Sequence, residues 1–385
     1  MRTLSQTLVL VGVGFAGLFQ RKWSSLLLAV SVACVVGVLL SMLAVTAGML
    51  RAYRAGEDQQ LAIVLSPSNV DYGSAIPPNT VGTILDAPGI AKGAAGHPLA
   101  DAEVVFWVPP SGPYVVGSPT LRGVGDTGLT LRPDFRIVNG QQFHAGRQEL
   151  IVGIGAARVY DLRVGDNVVL PGGAWPIVGT FSDAGSILES QLVGDAPTLM
   201  SAGHVSGFSS VLVRLERPEG FDAFARWLTA NPSLMVNPER QPDYASRIVH
   251  RASAFFTALT YVVGVIMALG ALFGVVKLTY TAVSARTLEI ATLRAMGYQA
   301  FPVAASVLLE SAVICVAGAC AGAGLAWLLF DGKLVAALQN VFTLSVSPRL
   351  FALGIAWALA LAVLGGLLPA IRAARLPVAE ALRAP

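Results

Sequence analysis

The sequence predicts a membrane α-helical protein with four transmembrane helices, carrying an α+β extracytoplasmic domain on a helical stalk. Hydrophobic residues make up 54% of the chain and charged residues 13%, against roughly 25% charged in a soluble domain. The apolar residues are also clustered. No Asp, Glu, Lys or Arg interrupts the stretches between Lys22 and Arg51, Arg251 and Lys277, Glu310 and Asp331, or Arg349 and Arg372. Each reaches the ~20 residues that a helix needs to span the hydrocarbon core. The third observation is charge sign. Residues 51–250 carry 14 Lys and Arg against 19 Asp and Glu, whereas the flanks of the apolar runs are basic.

Taken in order, residues 1–23 read as a cytoplasmic amphipathic segment. Residues 8–19 are apolar but too short to span, and they end at Gln20-Arg-Lys-Trp23, a pattern that suits an interfacial helix anchored by an aromatic ring and a basic pair. The first transmembrane helix covers 24–50. A cleaved signal peptide is the alternative, but its apolar region runs only about 7–15 residues, so an uncleaved anchor is expected. Residues 51–250 form the periplasmic α+β domain with its stalk. Leu61-Ala-Ile-Val-Leu, Glu103-Val-Val-Phe-Trp-Val and Ser210-Val-Leu-Val-Arg-Leu read as strands, being rich in β-branched residues. Phe221, Phe224 and Leu228 have helical spacing. Glu149 through Phe181 reads as strands joined by a short helix and Gly-rich turns. Whether this region makes one large domain or two small ones stays open.

Tyr244, Ile248, Ala252 and Phe255 stand at i, i+4, i+8 and i+11 and lead into the second transmembrane helix, 253–278; with Arg51 to Gln60 continuing the first helix outward, they predict the stalk. A cytoplasmic coupling segment, 279–301, precedes the third transmembrane helix, 302–330. A short periplasmic loop, 331–349, leads to the fourth, 350–371, and a cytoplasmic tail, 372–385. Basic flanks on short segments belong inside while a long domain is translocated largely regardless of charge. Both termini are therefore expected in the cytoplasm of a bacterium, with the chain in its inner membrane.

No catalytic array stands out. The sequence has no G-x-x-x-x-G-K-[ST], H-E-x-x-H, C-x-x-C or G-x-S-x-G, so it offers neither the usual nucleotide cradle nor a familiar metal or nucleophile motif. His97, His144, His204 and His250 are scattered without ligand spacing, and Cys34, Cys315 and Cys320 all fall in apolar runs, leaving the exported domain to fold without disulfides. No metal, cofactor or enzymatic activity is expected of this chain. Any energy it uses has to arrive from a partner.

Ala285 to Tyr298 is the segment suited to receive it. On a helix, Leu288, Ala291, Thr292 and Ala295 fall near one face, and Arg286 and Glu289 at i, i+3 can pair. Gly297 would end the helix. An ordinary charged loop fits the same pattern equally well. Gly270-Ala-Leu-Phe-Gly274 and Gly318-Ala-Cys-Ala-Gly322 place small residues on one face of the second and third helices, which permits close approach, either across a dimer or within the four-helix unit. Glu310 is the one acidic residue toward the membrane interior; a structural pairing with Lys277 or Arg294 is preferred to a proton site.

Arg286-Thr-Leu-Glu-Ile-Ala-Thr-Leu-Arg-Ala-Met-Gly297 resembles the R-x-x-E-I-[GA]-x-L-R-A-[LIM]-G of MacB/FtsX-like ABC transporter permeases. Glu310-Ser follows, and Pro369-Ala-Ile-Arg-Ala-Ala-Arg-Leu-Pro-Val-Ala-Glu-Ala-Leu-Arg383 is similar to the family's C-terminal tail. Residues 12–28 resemble its N-terminal lead-in, and 149–199, with Val164-Gly-Asp166 and Val178-Gly-Thr-Phe181, its periplasmic core. Residues 244–298 look closest to DevC-type exporter permeases. The resemblance implies mechanotransmission. A separate ATPase, binding ATP and Mg, grips Arg286, Glu289, Leu293, Arg294, Met296 and Gly297. The permease pairs with a second copy, and a membrane-fusion adaptor, with an outer-membrane channel beyond it, takes over a lipid, glycolipid or amphipathic small molecule. Relay of ATP hydrolysis to a cell-wall hydrolase, as in FtsX, and lipoprotein release are the alternatives that share the fold.

Overall fold

The computed structural model describes residues 22–67, 70–107, 119–285, 287–296, 300–337 and 340–374. In chain order, α1 (Lys22–Ala55) leads to β1 (Leu61–Leu65), α2 (Pro78–Leu85), β2 (Ala100–Trp107), β3 (Thr120–Val124), β4 (Phe135–Gly140), β5 (Leu150–Gly153) and α3 (Ile154–Val159). There follow β6 (Asn167–Leu170), β7 (Gly173–Asp183), β8 (Gln191–Asp195), α4 (Ala196–Gly203), β9 (Ser210–Arg214), α5 (Phe221–Thr229) and β10 (Asn237–Arg240). The chain closes with α6 (Gln241–Ala285), α7 (Thr287–Ala295), α8 (Ala300–Phe330), β11 (Leu334–Ala337), β12 (Asn340–Thr343) and α9 (Pro348–Ala374). Two compact units result. A helical unit takes residues 1–47, 255–331 and 345–385; a globular unit takes 48–254 and 332–344. Their boundary falls inside α1, between Ala47 and Gly48, and inside α6, between Ala254 and Phe255.

The four predicted spans correspond to α1, α6, α8 and α9, each long and apolar enough to cross a membrane. Among the described residues of the helical unit, Leu28, Val32, Val36 and Leu40 of α1 pack with Cys315, Ala319, Ala323 and Ala326 of α8, and with Val275, Ala358 and Ala362. The opposite surfaces stay apolar. Ile266, Phe273, Leu328 and Leu364 are each more than half exposed, an arrangement unsuited to water and suited to lipid tails.

The globular unit is built on one sheet, ordered β10-β1-β9-β2-β3-β8-β5-β7-β4, with β6 paired to β7. Pairing is antiparallel except for β3 with β8 and β5 with β7. β1 explains why the sheet can be apolar on both sides. All five of its residues are buried, and successive side chains point to opposite faces. Ala62 and Val64 join a cluster with Ile84 of α2 and Phe224 and Leu228 of α5, while Leu61, Ile63 and Leu65 join Leu131, Leu212 and Tyr244 on the other face. A second large cluster gathers Val104, Leu121, Leu150, Trp175, Leu192 and Leu199. The open question of one domain or two thus resolves as one continuous sheet serving several separate cores. Residues 331–349, expected as a plain loop, hold the β11–β12 hairpin, which packs with the globular unit. It comes so close to α1 that a Cβ on Gly48 would strike the Thr343 carbonyl oxygen.

Asp101 of β2 is buried, and its carboxylate accepts hydrogen bonds from the Gly125 N–H at 2.9 and 3.1 Å. Burial, reinforced by the nearby Glu103 charge, pushes its pKa up to about 7 despite those bonds. The folded unit therefore retains a proton that an unfolded aspartate (about 3.9) releases. Stability accordingly falls as pH rises from about 4 to about 7, and the loss is complete above that window. Asp101→Asn, which keeps an acceptor for Gly125, should flatten this dependence and raise the melting temperature at pH 8 by several degrees with little change at pH 4. Thermal melts in detergent at the two pH values check it; an unaltered slope would clear Asp101 of the effect.

Candidate functional site

α7 follows α6 directly, with Arg286 between them outside the described residues, as is Gly297 and so its expected capping role. Glu289, Leu293 and Arg294 lie on this helix. Ile290 and Ala291 are buried, whereas Leu288 and Met296 are 57% and 69% exposed, and Thr292 and Ala295 are exposed too. This corrects the stripe read from spacing. Ala291 turns inward with the bulkier Ile290, and Leu288, Thr292 and Ala295 are left on a solvent-accessible face. At the end of α9, the Arg372 guanidinium lies 4.7 Å from the centre of the Tyr280 ring of α6, a cation–π contact that ties the two helix ends together. Arg375, Pro377 and Arg383 lie outside the described residues. Near the other end of this unit's polar inventory, the Thr279 and Ser311 hydroxyls sit 3.2 Å apart, and Glu310 beside them is half-buried.

The two glycine motifs separate cleanly. A Cβ on Gly318 would come within 2.5 Å of the Ala29 carbonyl oxygen, and one on Gly322 would strike that of Ala33. This pair therefore allows α8 to lie backbone-to-backbone on α1, the arrangement that small residues make possible between apolar helices. Gly270 and Gly274 of α6 have nothing within 4 Å. Their face is open among the described residues.

The stalk residues also shift. In the first turns of α6 the buried positions are Ala245 and Val249, one residue on from the expected Tyr244 and Ile248. Tyr244 is rooted in the globular unit, packed against the Leu61–Leu212 cluster, with its hydroxyl accepting a hydrogen bond from the Asp71 N–H at 3.3 Å. Tyr244 and Ile248 therefore line the interior of that unit instead of a free stalk, since the sheet offers the ring more apolar contact than solvent does. Phe255 is the first α6 residue of the helical unit.

Beside Tyr244 lies a charged group that periodicity did not flag. Arg122 of β3 donates from Nη1 to Glu103 at 2.5 Å, from Nη2 to Asp71 at 3.1 Å and from Nε to Gln191 at 2.8 Å. Arg132 donates to the second Glu103 oxygen at 2.6 Å. Burial alone would push the Glu103 carboxyl up, but Arg132 and Arg122 outweigh it and hold it below the usual carboxylate range. The signal in the sequence was the charge at Glu103, two residues after Asp101 and at the head of the apolar Val-Val-Phe-Trp run.

Residues 261–378, which include α7, α8 and α9, match the family described as FtsX-like permease C-terminal. The macrolide export ATP-binding/permease protein MacB of Hahella chejuensis is 25% identical over 234 residues, covering 58% of this chain and 35% of that protein. Its counterpart in Shewanella oneidensis is 30% identical over 140 residues, covering 36% of this chain and 21% of that one. Residues 261–378 thus carry an FtsX-like permease domain, and the chain is similar to the MacB permeases. The chain spans about a third or less of the length of these relatives. Among solved structures, it is similar to the extracellular domain of the noncanonic ABC-type transporter YknZ from Gram-positive bacteria (13% identity, TM-score 0.36, 46% of this chain and 99% of that one). It is also similar to the periplasmic region of MacB from Actinobacillus actinomycetemcomitans (11% identity, TM-score 0.38, 51% and 95%).

Two outcomes test this geometry in the permease. Arg122→Met should destabilise the globular unit by about 3–5 kcal/mol, because it strips Asp71 of its ion pair and leaves buried Glu103 with Arg132 alone; chemical denaturation of the purified protein measures it. Gly322→Val should cost at least about 2 kcal/mol through overpacking against α1, whereas Gly274→Val should leave the melting temperature of the monomer within a degree or two.

Proposed function

We propose that this chain is the transmembrane subunit of an ABC exporter, moved by ATP hydrolysis in a nucleotide-binding partner. The observation that carries the reading is α7, a nine-residue helix between two spanning helices that leaves Leu288 and Met296 exposed within the FtsX-like match. Those side chains suit a partner's apolar notch. A push on α7 acts on α6, a single helix of 45 residues and so about 68 Å long at 1.5 Å per residue. That length exceeds the roughly 30 Å hydrocarbon core, so the one helix includes both the residues next to the coupling segment and Tyr244. α1, with 34 residues, gives a second such rod. Work done at the cytoplasmic face thus reaches the outer domain without a hydrophilic pore, which suits expulsion of a lipid, glycolipid or amphipathic molecule.

The open Gly270–Gly274 face, next to the exposed Ile266 and Phe273, supports pairing with a second copy through α6. The macrolide-export relatives and the basic flanks favour an inner-membrane exporter with both termini cytoplasmic, working with a membrane-fusion adaptor and an outer-membrane channel as DevC-type permeases do. Co-purification of the tagged chain from membranes tests the central claim. A nucleotide-binding subunit with ATPase activity should accompany it, and Glu289→Lys or Met296→Asp should lower the bound ATPase about tenfold, equivalent to ~1.4 kcal/mol, without changing the melting temperature. A chain that purifies alone in every detergent would overturn the reading.

A further inference from the structure

A cavity of about 220 Å³ lies within the globular unit, where Tyr53 near the end of α1 and Tyr244 near the start of α6 meet the sheet. Its walls are apolar and aromatic. Leu61, Ile63 and Leu212 form one side, and the Tyr72 and Trp107 rings, 5.6 Å apart and both more than half exposed, form part of another. Six carboxylates and two guanidinium groups line it, with neither lysine nor histidine. Both guanidinium groups are already engaged, Arg122 by Glu103 and Asp71 and Arg132 by Glu103. Asp58 is paired with Arg214 at 2.9 Å. The cavity thus holds no cation available to an anionic guest, and it does hold unspent negative charge.

Asp183 makes that charge specific. Only 6% of the residue is exposed. One carboxylate oxygen accepts from the Ser186 hydroxyl, and the other has no hydrogen bond among the described residues, nor does the side chain form an ion pair there. Burial raises its proton affinity, with the Ser186 hydrogen bond and the Arg132 charge opposing the shift and the Glu189 and Asp134 charges adding to it. Such a group is stabilised by a cationic donor. An aromatic wall adds its own attraction for a cation, about 0.5–2 kcal/mol when the ring face is within reach.

We propose that this cavity is a binding site for a small organic cation carrying one flat ring, an arylalkylammonium, with its ammonium on Asp183 and its ring among the aromatic side chains. Size selects the class: a dry cavity of about 150 Å³ accepts benzene, so about 220 Å³ takes one ring and a short ammonium tail, and excludes a macrolide. A guest there touches α1 through Tyr53 and α6 through Tyr244, linking the two helix ends that belong to the globular unit. The site is independent of the transport reading and would stand if no ATPase partner were found.

Isothermal titration of the full-length protein in detergent at pH 8 tests the proposal, with phenethylammonium as the probe and 3-phenylpropionate as an anion of similar shape. Phenethylammonium should bind saturably at one site with a Kd of roughly 0.1–1 mM, and phenylpropionate should not. Asp183→Asn should weaken the cation about tenfold. Trp107→Ala, at the exposed end of β2, should weaken it several-fold without unfolding the protein. Equal binding of both compounds, no saturable heat up to about 10 mM, or cation binding indifferent to both substitutions would overturn the assignment.

Discussion

A guanidinium closed into a β-sheet survives only if its N–H groups are answered, because an unpaired buried charge costs several kcal/mol. Arg122 meets that requirement with partners from three places: Glu103 on β2, Gln191 on β8 and Asp71 in the turn that follows β1. The network joins segments far apart in sequence, and it does so at the face where Tyr53 and Tyr244 enter the unit. Glu103 in turn holds Arg132, and its charge contributes to keeping Asp101 protonated near neutral pH. One buried ion cluster therefore fixes strand neighbours, sets a titration and shapes the acidic side of a cavity.

The helical unit solves the opposite problem. Lipid tails are as apolar as leucine, so exclusion from water does not drive its helices together, and close van der Waals packing has to serve. Gly318 and Gly322 provide it by removing the Cβ atoms that would strike the Ala29 and Ala33 carbonyls. Alanines at 319, 323, 326, 358 and 362 extend the same thin seam. Large residues such as Phe273 and Leu328 go outward, where a water-soluble protein would place charge. The unfilled Gly270–Gly274 face is the exception to this economy of volume.

The FtsX-like match covers the stretch of chain that holds α7, α8 and the later part of α6. α6 runs as one helix from Gln241 to Ala285. The short α7 turns a buried edge, Ile290 and Ala291, toward its own unit and leaves an apolar edge uncovered.

The sequence alone determined the four spans, since charge-free length is a property of composition and lipid imposes it helix by helix. It also carried the FtsX-like resemblance, through Arg286 to Gly297 and the tail, although parts of both lie outside the described residues. Strand β1 was legible because Leu61 to Leu65 is a continuous β-forming run. The order of the ten strands was not, because β1 pairs with β9 and β10 some 150 residues onward, and no local pattern encodes such a partner. Likewise, spacing marked Gly270, Gly274, Gly318 and Gly322 alike, and only packing against α1 told the pairs apart. Tyr244 read as stalk because helical periodicity reports which residues share a face and not what that face meets. Arg122, Asp183 and the cavity were settled in tertiary structure alone: a buried charge or a void exists only where distant segments close around it.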